Sequence, residues 1–405
     1  MRAEYDVAIV GAGIVGLASA LALIQRSPGL RLAVVDKEPE VAQHQTGNNS
    51  GVIHSGLYYR PGSLKAELCV GGADRLVAFC EEHGIPHTRD GKVVVAGNDD
   101  QIPALENLYE RGVANGLRGI RRLGKEELHE VEPHVAGVAG LHVPTTGTVD
   151  FGVVARTIAE LLEVAGVDIV TSFEVGAVEA RSSDVVLRSP SGEIVAGAVV
   201  NCAGLFADRL AIAAGADPPV RIIPFRGEYY DVVGDSAELV RSSIYPVPDP
   251  SLPFLGVHLT RTVSGGVNAG PNAVLAGARE GYRWATVRPR DLWDAVSYPG
   301  LARLAGRHWR SGISEVARSA SRTRFTRSVR ELVPDIAAED LRRDGAGVRA
   351  QAVTRSGDLY DDFLILESPR ALHVLNAPSP GATSSLAIGD YLAAQISESL
   401  GEGAT

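Results

Sequence analysis

Three glycines at a fixed spacing, Gly11, Gly13 and Gly16, are followed twenty residues beyond Gly16 by Asp36. Glycine at the first position permits a tight turn. At the second it lets a pyrophosphate lie against the backbone, and at the third it lets a helix pack closely on a strand. An acid at the distance of Asp36 can accept hydrogen bonds from a ribose and disfavours a 2′-phosphate. Ile14 and Val15 open the helix, whose free N–H groups and partial positive charge face the phosphates, and Lys37 adjoins the acid. The array implies dinucleotide binding, and taken alone it admits NAD as well as FAD.

The elements that must position these residues are legible around them. Residues 7–10 are a short apolar strand, and small and apolar residues continue as a helix to about Arg26. Pro28-Gly29 stops the helix, and residues 32–35 form a second strand that ends on Asp36. This is a βαβ unit.

At 405 residues with 45% hydrophobic side chains, the chain is long enough for two domains with large cores. A net charge of −10 argues against a general nucleic-acid binder. Only Lys37, Lys65, Lys92 and Lys125 are lysines, so nearly all cationic charge is arginine. Cys69, Cys80 and Cys202 lack metal-ligand spacing, and no metal site is expected; three cysteines in apolar contexts suit a reducing compartment. No apolar leader precedes the first strand and no run approaches a membrane span. A cytoplasmic protein is expected, with peripheral attachment to the inner face of the membrane left open.

The polar loop 41–69 resembles that of FAD-dependent L-2-hydroxyglutarate oxidases and dehydrogenases, within the D-amino-acid oxidase-like flavoproteins, through GNNSGVIHSGLYYRPGSLKAELC. The similarity spans nearly the whole chain and is densest at 11–36, 47–69, 256–282, 345–351 and 376–389. It implies noncovalent FAD, with Thr46, Asn48, Asn49, Ser50, Gly51 and Val52 beside the isoalloxazine ring and His54 near its reacting face. The strand and turn at 198–204 resemble the second nucleotide-contacting turn of such flavoproteins, adding Ala203 and Gly204, with Val175 nearby, and favour FAD over NAD. Residues 373–396 read as a strand, a Pro-Ser-Pro-Gly turn and a helix from near Ala382. Gly381 permits close approach, and Thr383 and Ser384 can cap the helix, whose N-terminus the resemblance aims at the flavin.

The expected fold is α/β, or α+β overall: a Rossmann-like FAD-binding domain with a discontinuous, mostly antiparallel substrate domain. Residues 1–90, 145–215 and 345–405 are assigned to the first, and 91–144 and 216–344 to the second. Strands are expected at 92–96, 140–143, 220–231, within 245–267, and at 348–353 and 362–367, the last two returning the chain to the cofactor. Residues 279–330 carry twelve arginines against four acids, with Trp293 and Trp309. They read as surface helices or as a basic face for anionic lipid or a respiratory-chain partner.

Oxidising a 2-hydroxy acid on a flavin requires a fixed carboxylate, a group to take the hydroxyl proton, and a C–H held against the ring. The resemblance places Arg349 at the substrate carboxylate, and Arg261 is the candidate for the distal one. His54 and His258 compete as the base, His54 preferred because its loop is tied to the flavin. The implied reaction is oxidation of L-2-hydroxyglutarate to 2-oxoglutarate by hydride transfer, electrons passing to oxygen or a membrane quinone. An oxidase of glycine, sarcosine, a D-amino acid or another 2-hydroxy acid is the alternative, as is a flavin-binding protein without turnover. Self-association is left open.

Overall fold

The computed structural model describes residues 4–249 and 255–402. The apolar runs of the glycine unit form the parallel strands Tyr5–Val10 and Leu32–Val35, joined by helix Ile14–Arg26. From Val7 onward every residue of both strands is buried: Val7, Ile9, Leu32 and Val34 face the helices, and Ala8, Val10, Ala33 and Val35 face Phe173, Val185, Leu187 and Leu210.

Among the described residues this pair grows into an eight-stranded sheet. Its order is Ala177–Ala180, Val185–Ser189, Gly192–Asn201, Tyr5–Val10, Leu32–Val35 and Asp168–Val170. Ala371–Asn376 adds in parallel to Gly192–Asn201, and Leu364–Ser368 pairs with Ala371–Asn376. The pattern suggests separate strands at 193–195 and 198–201, but Gly192–Asn201 is one strand. Gly197 does not interrupt it; a Cβ there would lie 2.9 Å from the Asp6 carbonyl oxygen, so the glycine lets the neighbouring strand approach. Helices Ile14–Arg26, Leu64–Glu82, Phe151–Val164 and Ser385–Glu402 pack on this sheet through Leu17, Leu76, Ile158 and Leu392.

Among the described residues a second, nine-stranded sheet is antiparallel except where Ser243–Pro246 runs parallel to Lys92–Ala96. Alternation along Lys92–Ala96 assigns its two faces. Val93 and Val95 pack with Phe325 and Val329 of helix Arg322–Arg330. Val94 and Ala96 pack with Leu105 and Leu108 of helix Ile102–Ala114. The basic segment forms the helices Pro289–Val296, Pro299–Ala320 and Arg322–Arg330. Part of the strand-rich stretch 245–267, residues 250–254, lies outside the described residues.

The strand read at 348–353 as returning the chain to the cofactor is Leu341–Thr354; it pairs with Val220–Val232 in the second sheet, Phe225 opposite Arg349, and its residues 347–351 border the main cavity. Local alternation identifies a strand but carries no information about its partner. The return to the first sheet begins at Leu364.

The two sheets meet at a buried ion pair. Arg279, 1% exposed, donates from Nη2 to Asp208 Oδ2 at 3.0 Å, and Asp208 is fully buried. The same Oδ2 accepts from the Ile222 backbone N–H at 3.0 Å, and Asp208 Oδ1 accepts from Arg209 N–H at 2.8 Å. Removing one member of such a pair strands a charge in the interior. Arg279→Ala is expected to lower unfolding free energy by about 3–5 kcal/mol in denaturant titrations. Arg75→Ala, which breaks an exposed pair with Asp390, is expected to cost no more than about 1 kcal/mol.

Candidate active site

A cavity of about 1210 Å³ lies between the sheets. That exceeds the roughly 300–1,000 Å³ of most small-molecule sites and accommodates an extended dinucleotide beside a small acid. Its wall runs from Gly11, Gly13 and Asp36 through Thr46, Ala203 and Gly204 to Gly381, His54, His258 and Arg349.

At the nucleotide end the glycines divide as their spacing implies. Gly11 has φ +111°, and a Cβ on it would fall 2.3 Å from the Cys202 carbonyl oxygen. A Cβ on Gly16 would fall 2.0 Å from the Gly11 carbonyl oxygen, so Gly16 packs behind the turn and is not on the wall. Gly13, Ile14 and Val15 are on it. Asp36 also lines the cavity while bracing the turn: Oδ2 accepts from Ala12 N–H at 2.7 Å and Oδ1 from Glu38 N–H at 2.9 Å. A carboxylate has about four acceptor positions, so two remain for a ribose. The Lys37 ammonium is committed to Glu38, Glu280 and His44. It occupies the group of side chains Glu38, His44 and Glu280, which could otherwise hold a cation.

The polar loop is shaped largely by its own side chains. Thr46 Oγ1 accepts from Ile14 N–H at 3.0 Å, taking one of the helix donors. Asn48 Nδ2 donates to the carbonyl oxygens of Gln43 and His44, and Asn49 Nδ2 to those of Gln45 and Thr46. Ser50 and Val52 are on the wall, as is Val175. Gly51 is not; its N–H is held by Asn49 Oδ1 at 2.8 Å.

The last helix starts at Ser385, three residues beyond the expected start near Ala382, because residues 380–384 form a turn with Ser384 N–H donating to the Pro380 carbonyl. Gly381, Ala382 and Thr383 line the cavity, whereas Ser384 is fully buried away from it. Thr383 does not cap the helix. Its Oγ1 donates to the Val52 carbonyl at 3.2 Å and accepts from His54 N–H at 3.0 Å, fastening the His54 loop to the helix entrance.

The reacting end is cationic. Burial pushes His258 down to about 4, with Arg349 and Lys92 adding to the effect. Burial likewise pushes His54 down to about 3, aided by Lys92, His258 and Lys65. His258 Nδ1 is 2.9 Å from the Gly256 carbonyl oxygen. A carbonyl only accepts, so Nδ1 must carry the proton and Nε2 keeps a free lone pair. His54 Nε2 is instead 2.9 Å from Ser379 Oγ, which can donate or accept and so fixes no tautomer. Arg349 lines the cavity, and burial lowers its pKa from the ordinary guanidinium value.

Arg261 does not reach the site. Along His258–Arg261 successive side chains alternate, so His258 faces the cavity and Arg261 the other side. There its Nη1 donates to the Val240 carbonyl at 2.8 Å and its Nη2 to that of Gly265 at 3.1 Å. Sequence reasoning missed Tyr58, Tyr59, Lys65, Arg111 and Tyr245 on the wall. Parity with His258 could have excluded Arg261; nothing local marks Tyr245, which stacks on His258 with ring centroids 4.1 Å apart.

Residues 6–395 match the model of the DAO family, described as FAD dependent oxidoreductase. The L-2-hydroxyglutarate dehydrogenase of Indibacter alkaliphilus is 50% identical over 387 residues, covering 95% of this chain and 97% of its own. The mitochondrial L-2-hydroxyglutarate dehydrogenase of Homo sapiens is 43% identical, covering 98% and 89%. Among solved structures, dithionite-reduced L-alpha-glycerophosphate oxidase from Mycoplasma pneumoniae with FAD bound superposes with a TM-score of 0.79 at 25% identity, covering 98% of this chain and 95% of that one.

Because both histidines are depressed below the ordinary value near 6.5, they are neutral in the folded protein at pH 6, whereas an unfolded chain protonates them there. The unfolded state then binds more protons, so stability falls as pH drops from about 6.5 towards 4. The melting temperature is expected to decline over that window, and less steeply in His258→Gln. NMR of labelled imidazoles should show both rings neutral at pH 6.

Proposed function

The chain belongs to the FAD dependent oxidoreductase family, and from that premise we propose that it oxidises L-2-hydroxyglutarate to 2-oxoglutarate. The observation that carries the chemistry is the pairing of Arg349 with a tautomer-fixed His258 in one cavity. The residues present fit FAD: the Gly11 turn forms a cradle that side chains would fill, Asp36 retains acceptor capacity, and Gly381 to Thr383 border the reacting end. Cys202, at the cavity wall, has its thiol pushed up to about 12 by burial and is a poor nucleophile, which supports a noncovalent cofactor. When bound, FAD supplies the acceptor for the two electrons leaving the substrate carbon.

The chain's own residues do the rest. Arg349 would hold the carboxylate next to the reacting carbon through its planar fork, which stays charged even when desolvated. The substrate hydroxyl then faces His258, whose Nε2 accepts its proton while Nδ1–H stays on Gly256. This assignment inverts the expectation from sequence. His54, engaged by Ser379 and Thr383, would position the loop and steer the hydroxyl.

An anaerobic titration tests both levels. L-2-hydroxyglutarate should bleach the flavin, and D-2-hydroxyglutarate, L-lactate, glycine and sarcosine should not; bleaching by an amine alone would overturn the substrate. His258→Ala should retain FAD and slow reduction about 10²–10⁴-fold. Arg349→Ala should mainly weaken substrate binding, and Arg261→Ala should do neither.

For the acceptor we propose a membrane quinone. No helix among the described residues is long and apolar enough to cross a membrane. Residues 284–316 nevertheless expose Trp293 (69%), Trp309 (55%) and Ile313 (62%), with Arg310, Arg322 and Arg324 exposed nearby in sequence. Tryptophan with arginine suits an anionic lipid surface. Flotation with vesicles containing phosphatidylglycerol should carry the protein upward at low salt and release it at high salt. Equal behaviour with neutral vesicles, or no flotation, would remove this reading.

A further inference from the structure

Lys92 is 1% exposed, and among the described residues it has no ion-pair partner. Its ammonium is held between two aromatic faces, 4.3 Å from the Tyr58 ring centroid and 4.9 Å from that of Tyr245. Both rings line the cavity, and the far side of the series is His258, stacked on Tyr245. A buried cation without an anion is costly, and aromatic faces return only part of that cost.

The residue type is informative as well. The chain has 39 lysines and arginines, of which only four are lysines. An arginine here would stay protonated at any working pH, whereas a desolvated lysine can lose its proton.

We propose that Lys92 is a reserve countercharge for a dianionic substrate: sealed behind Tyr58 and Tyr245, it takes up a proton as two carboxylates enter the cavity. The inference rests on the diacid reading above and fills the place left by Arg261, which faces away. Lys92 acts through the two rings and touches no substrate, so it is a positioning residue.

The titratable and charged groups around it are His54 and Tyr58 on the loop after Val52–Ile53, Lys65 and Cys69 on helix Leu64–Glu82, Arg111 on helix Ile102–Ala114, Tyr245 on Ser243–Pro246 and His258 on His258–Arg261. The nearest carboxylate among them is Asp361, already paired with Lys65 at 3.1 Å. Burial pushes Lys92 down to about 7 in the absence of a ligand. A bound dianion favours the charged amine and raises that value. Below about pH 7 the amine is charged with or without ligand, and affinity is flat. Above it, binding must take up a proton, and affinity falls as pH rises.

The test uses the FAD-loaded full chain and glutarate, a five-carbon diacid without a hydroxyl to oxidise, followed by the flavin absorbance change between pH 6 and 9. Wild type should bind with an affinity that falls by up to tenfold per pH unit above about 7, the limit for uptake of one proton. Lys92→Met should bind about tenfold more weakly at pH 6.5 and lack that slope; Lys92→Arg should keep the affinity and also lack it. Calorimetry of wild type in phosphate and in Tris at pH 8 provides a test that needs no variant, since proton uptake makes the two heats differ. Equal heats, or the wild-type slope persisting in Lys92→Met, would overturn the proposal. Failure of wild type to bind glutarate at any pH would overturn the diacid reading, and this inference with it.

Discussion

The Arg279–Asp208 pair ties together two sheets that otherwise share few demands. Asp208 stands on helix Ala207–Ala213, directly after the strand and turn that border the cavity, while Ile222 and Arg279 belong to the second sheet's side. The carboxylate accepts from a guanidinium and two backbone N–H groups, which compensate its buried charge. The cavity lies between the two sheets.

Within the cavity, charge is asymmetric. The nucleotide end offers a helix N-terminus, an acid with spare acceptor capacity and a lysine already neutralised by Glu38 and Glu280. Toward the other end lie Arg349, Lys65, which pairs with Asp361, and Lys92 behind the wall, around two imidazoles held neutral by burial and by those cations. Such surroundings attract an acid while leaving an unprotonated nitrogen to receive a proton. Burial, with Arg349 and Lys92 adding to it, keeps the His258 ring neutral.

Much of this was readable in the chain. The βαβ unit and the strand at 92–96 follow from periodicity and punctuation, because helix and strand formation answer to neighbours a few residues away. The loop around His54 and the Gly381 turn were recognisable as motifs and do border the cavity. The sheet that Leu341–Thr354 joins and the work done by Thr383 were not readable, because both are settled by residues far away in sequence.

The sequence by itself thus determined the dinucleotide turn, the family of chemistry and the side chains eligible for it, because those depend on residue type at short spacing. Only the tertiary structure decided which eligible groups meet. Strand parity turned His258 inward and Arg261 outward, and the Gly256 carbonyl selected the proton-free nitrogen of His258. Sheet pairing brought Lys92 behind Tyr58 and Tyr245, where loss of water, a property of the packed interior and not of the residue, changes what an amine can do.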